Sequence, residues 1–132
     1  MKNIDGFNLM ASHVLLALLV EFPKPLILDA QDFQDAIEDL PEDCKWDNHV
    51  YGNLAACTIR YLVDEGYIRA QINGSSLFSQ TVLTAKGFSA LNRKLDALEP
   101  GKTLAQRLKE AGKSIAPEVA SAIVARFLEV VL

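Results

Sequence analysis

The side chains with the strongest chemistry in this chain are His13, Cys44, His49 and Cys57. Thiolates and imidazoles are the ligands zinc prefers, so their spacing decides whether a metal site is expected. Cys44 and His49 lie five apart and His49 and Cys57 eight apart, unlike the close ligand pairs of structural zinc sites. His13 sits in an apolar run and is expected to bond a backbone carbonyl. Cys57, in mid-helix, is expected to serve as a small core residue. No glycine-rich phosphate loop, nucleophile elbow or carboxylate–histidine constellation occurs. Asp64-Glu65 close a helix, which suits them poorly to acid–base work. The expectation is a non-enzymatic protein without metal or cofactor.

A second group of side chains is suited to nucleic acid. Asn can bond adenine through two atoms, and Arg can do the same with guanine. Asn48, His49, Tyr51, Asn53 and Arg60 fall on one predicted helix, and Arg69, Asn73, Ser75 and Ser76 on the ribbon that follows. If double-stranded DNA is the partner, Asn48, His49, Tyr51 and Asn53 face the groove while Arg60 and Arg69 meet phosphates. Electrostatics oppose this. The net charge is −4, and residues 1–50 hold three lysines against ten acids. The acids concentrate between Asp29 and Asp47, a segment not expected to face a phosphate backbone. The alternative is a protein partner received on the acidic segment 29–47, and the plainest reading of such a run is a solvated face. Lys102, Arg107, Lys109 and Lys113 form the only basic cluster; the helix dipole explains Lys109 and Lys113 near a helix C-terminus, and a nucleic-acid contact through the cluster is the minor alternative.

The elements that must position these residues follow from periodicity. Met10, Val14, Leu15, Leu18, Leu19 and Phe22 line one face of a helix over about 9–22, stopped by Pro23 and Pro25. Leu26-Ile27-Leu28 predicts a short buried strand. Asp29 is a plausible N-cap for a short helix over 31–40, ended by Pro41. Asp47 or Asn48 is expected to cap a helix running to Glu65, with Gly66 at its C′ position. Segments 67–72 and 79–83 predict strands around the turn signal Asn73-Gly74. Thr84 caps a predicted helix over 85–98, broken by Glu99-Pro100-Gly101. A short helix over 103–111 is stopped by Gly112, and Pro117 opens a last helix. The fold class expected is mainly α with a small antiparallel sheet. Residues 1–99 form the main unit, and 100–132 a helical extension packed on it.

This order is similar to the winged helix-turn-helix superfamily. The matching residues are Leu62, Gly66, Tyr67 and Ile68 before the wing, and Leu83, Thr84, Lys86 and Gly87 after it. With LTAKGFSALN, LAQRLKEAGKSI and PEVASAIV, the C-terminal part looks like an uncharacterised winged-helix family of bacteria and their phages. The resemblance implies an architecture and a regulatory role, DNA-binding or accessory, and brings no activity with it.

The last helix is apolar over much of its circumference. Val119, Ile123, Phe127 and Val130 are expected either to pack against the first helix or to form a homodimer interface. The apolar run 9–20 lacks a positive leader and a cleavage site, and no run reaches the roughly 18–20 apolar residues of a membrane span. A cytoplasmic protein is expected.

Overall fold

A computed structural model describes residues 2–37, 53–94 and 101–129. Their elements, in order, are α1 (Lys2–Glu21), β1 (Leu26–Asp29), a 3-10 helix (Ala30–Ile37), α2 (Leu54–Asp64), β2 (Ile68–Asn73), β3 (Leu77–Leu83), α3 (Ala85–Leu91), α4 (Leu104–Ala111), a 3-10 turn (Gly112–Ser114) and α5 (Pro117–Phe127). The chain is mainly helical with one three-stranded antiparallel sheet, the coarse class that its pattern predicts.

α1 is the column around which the core is built. Met10, Val14, Leu15 and Leu18 are buried along it and share one cluster with Ile59 and Leu62 of α2 and Ile123 and Phe127 of α5. It begins at Lys2, earlier than periodicity predicts, because Gly6 weakens the helical signal there. That extension corrects the membrane expectation, since the 18-residue window Ile4–Glu21 has a mean hydropathy of 1.4 and is long enough to span a bilayer. Half of the window is buried inside the fold, so its apolar side chains serve as core.

The sheet runs in the order β1-β3-β2. Gly66, at φ +82°, turns the chain out of α2. Gly74, at φ +87°, folds β2 back on β3, where the Asn-Gly signal places the turn. Between matched pairing positions β3 carries one residue more than the strand on either side. Arg69 and Gln71 of β2 face Val82 and Ser79, and Leu26 and Leu28 of β1 face Thr81 and Phe78. The extra residue is Gln80, a bulge at φ +50°. Thr81 bridges it by donating to the Phe78 carbonyl at 3.0 Å. The bulge explains why apolar alternation is imperfect in this strand: Phe78 is buried, and so are Thr81, Val82 and Leu83 in succession.

The phrase Leu83-Thr84-Ala85-Lys86-Gly87 closes the hairpin onto α2. The Thr84 hydroxyl donates to the Gly66 carbonyl at 2.6 Å and accepts from the Gly87 amide at 3.1 Å, capping α3. Lys86 reaches the Glu65 carbonyl at 2.7 Å, with its ammonium 4.3 Å from the Tyr67 ring centroid. A cation there satisfies an orphan carbonyl at the C-terminus of α2.

Two helices differ from expectation. α3 ends at Leu91 rather than near 98, because Arg93 turns to donate to the carbonyls of Arg126, Phe127 and Glu129 and Lys94 pairs with Thr103. Tertiary bonds there override a helical pattern with no internal breaker. The predicted helix over 31–40 is a 3-10 helix as far as Ile37, with the Asp29 carboxylate accepting from the Gln31 amide at 3.0 Å. Thr103 and Gln106 form a full capping box on α4.

Candidate functional site

The surface expected to bind comprises α2 and the β2–β3 ribbon. Asn53 opens α2, with extended backbone and its side chain accepting from the Ala56 amide at 2.9 Å. This corrects two expectations: the helix starts at Leu54, not at 48, and Asn53 is 4% exposed. An amide spent as a cap inside the fold cannot reach a base edge. Asn48, His49 and Tyr51 lie outside the described residues.

Along α2, Leu54, Ala55, Ala56, Thr58, Ile59 and Leu62 are buried. Tyr61, Asp64 and Glu65 are exposed, so the outward surface carries two acids and a phenol. Burial first, then the neighbouring Glu65, raises the Tyr61 pKa above its ordinary 10.0. The one cation of the helix, Arg60, is not directed at solvent as expected. Its guanidinium donates to the Gly74 carbonyl at 2.7 Å and lies 5.7 Å from the Phe78 ring centroid. Arg60 is a strut that ties the ribbon's tip to α2.

On the ribbon, Arg69, Asn73 and Ser75 are exposed and Ser76 is half-buried. Asn73 donates to the Ser79 hydroxyl at 2.8 Å, which fixes its amide across the hairpin. Arg69 is therefore the single cation of α2 and the ribbon with no partner among the described residues.

Other cations also end on the protein itself. Lys86 and Arg93 cap α2 and α5, Lys94 donates to the Gly101 carbonyl at 3.1 Å, and Lys102 pairs with Glu110 at 2.7 Å. Arg126 bonds Glu129 and the Lys94 carbonyl. By contrast Asp32 and Asp35, on the 3-10 helix beside β1, are exposed. Lys102, Arg107, Lys109 and Lys113, expected as one basic cluster, fall on α4 and its flanks, apart from the ribbon.

His13 lies half-buried on α1. Burial first, and the charge of Lys113 second, hold its pKa below the ordinary 6.5. Cys57 lies on α2, outside any disulfide, and Cys44 is outside the described residues. Among the described residues no group of three or more His, Cys, Asp or Glu is placed to hold a metal.

The apolar last helix is turned inward. Ile123 and Phe127 have no exposed surface, and the Phe127 ring lies 4.6 Å from that of Tyr67. Neither is available to a second copy, which corrects the dimer assignment for both. Val119 is half-buried against the core, and Val130 lies outside the described residues. The sequence signal for this inward packing was the breadth of the apolar surface itself. No protein-family model matches the chain, and no curated protein or solved structure is significantly similar to it.

Proposed function

We propose that the chain is a winged-helix interaction module, cytoplasmic and non-enzymatic, that receives a basic protein partner on its acidic side. The scaffold is supported by the order α1, β1, short helix, α2 and two-stranded ribbon, with β3 between β1 and β2. The observation that carries the choice of partner is the use of charge. Arg60, the arginine of the helix that would enter a groove, is bound to Gly74, while Asp32, Asp35, Asp64 and Glu65 face solvent. A phosphate backbone needs several free cations on one face, because each neutralised phosphate contributes through counterion release. A basic peptide needs the reverse, and an acidic face supplies both steering and discrimination.

DNA contact is the second reading, favoured by two exposed residues of the ribbon, Arg69 near its base and Ser75 at its tip. A labelled Lys/Arg-rich peptide and a labelled random-sequence duplex, titrated in parallel by fluorescence anisotropy at low salt, separate the two. The peptide is expected to bind and to weaken on Asp32→Lys plus Asp35→Lys. Duplex binding lost on Arg69→Ala supports the second reading.

A further inference from the structure

We propose that the cleft between the start of α1, α2 and the end of α5 binds a neutral, largely apolar small molecule carrying one hydrogen-bonding group. This goes beyond the interaction surface above and does not depend on it. The cleft has a volume of about 500 Å³, within the range of roughly 300–1,000 Å³ common to small-molecule sites. α1 contributes Ile4 and Phe7 to its wall, α2 Leu54, Thr58 and Tyr61, and α5 Ala125, with Leu128 just past its end.

The chemistry of the wall sets the class of ligand. None of its side chains is charged, so an ionic ligand would lose hydration and find no counter-ion. Phe7 and Tyr61 meet edge to face, with centroids 5.5 Å apart and planes at 87°. That arrangement presents aromatic surface suited to a ring of the ligand. Thr58 supplies the specific element. It is 1% exposed, and its hydroxyl has no hydrogen-bond partner. A buried hydroxyl without a partner is costly, and a ligand group that bonds it removes that cost. Asn8, also in the wall, donates to the Ser121 hydroxyl at 3.3 Å, which links α1 to α5 beside the cleft. Thr58 precedes Arg60 by two residues on α2, so an occupant presses on the helix that carries the strut to the ribbon.

The probe is N-phenyl-1-naphthylamine, a neutral aromatic amine whose fluorescence rises in apolar surroundings. Titrated into the full chain, it is expected to bind saturably at one site. Thr58→Val keeps the shape of the wall and deletes the hydroxyl. It should weaken the probe roughly three- to ten-fold, as the loss of one hydrogen bond does, without lowering the Tm of the ligand-free chain. Ala125→Trp, at an exposed position in the wall, should fill the cleft and abolish binding with the Tm preserved. Non-saturable binding, or equal affinity in Ala125→Trp, overturns the site. Equal affinity in Thr58→Val overturns the hydrogen-bonding group. Binding that emerges only after deletion of residues 130–132 also overturns the proposal, because the cleft would then be occupied by the chain itself.

Discussion

A β-carbon added to Gly87 would sit 2.1 Å from the carbonyl oxygen of Tyr67. The two backbones meet there because Thr84 and Lys86 draw the start of α3 onto the end of α2. Gly87→Ala gains helix propensity of about 1 kcal/mol, but overpacking against an immovable backbone costs about 1–3 kcal/mol. The contact is far closer than a side chain tolerates, so the upper part of that range applies and the variant should lose stability. Gly74→Ala meets nothing within 4 Å and should cost only the roughly 1–2 kcal/mol of a left-handed backbone. Urea unfolding should show both variants less stable than the parent chain.

Arg60→Ala should cost about 1–2 kcal/mol, through one hydrogen bond and one ring contact. Arg60→Lys should recover only part of this, because a lysine cannot reproduce the guanidinium plane over Phe78. Hydrogen exchange at the tip of the ribbon is the sensitive measurement. Amides around Gly74 should exchange faster in Arg60→Ala, while those of α5 stay protected.

Much of the architecture was legible because backbone chemistry marks it. Gly66 and Asn73-Gly74 are residues that a C-cap and a tight hairpin require, and Thr84 and Thr103 announce the starts of α3 and α4. The start of α2 was harder to place, since Asp47, Asn48 and Asn53 are all competent caps and the apolar spacing around Val50 and Leu54 does not choose among them. The end of α3 was not legible at all. Nothing between Leu91 and Leu98 breaks a helix, and the turn is made by Arg93 bonding carbonyls more than thirty residues away. The same holds for the site: an arginine looks equally suited to a phosphate and to the Gly74 carbonyl until the fold brings that carbonyl to it. The Gln80 bulge blurred β3 for a related reason, because one extra residue moves every later side chain to the other face.

His13 makes stability depend on pH in a defined direction. Its folded pKa lies below 6.5 because burial and Lys113 disfavour the imidazolium. As pH falls from 6.5 toward that lowered value, the unfolded chain binds the proton and the folded chain does not, so stability declines. Above 6.5 both states are neutral and this group contributes no slope. Unfolding free energies measured between pH 7.5 and 5 should show the decline, and His13→Gln should flatten that part of the curve.

Phe127 is spent inside the chain, beside Tyr67 and below the carbonyls that Arg93 caps. Phe127→Ala should therefore cost about 3–5 kcal/mol. If its partners are intramolecular, the Tm of the parent chain should not change with protein concentration. A Tm that rises with concentration would show that the folded chain self-associates.

We propose that, among the described residues, α2, the ribbon and the 3-10 helix present exposed acids and one free cation, Arg69, which is too few to hold a phosphate backbone. The direct measurement is a mobility-shift titration of random-sequence duplex DNA at 50 and 200 mM salt. No retention is expected at micromolar protein at either salt. Retention at low salt that collapses at high salt, and that Arg69→Ala abolishes, would contradict it, since that slope is the signature of phosphate contacts.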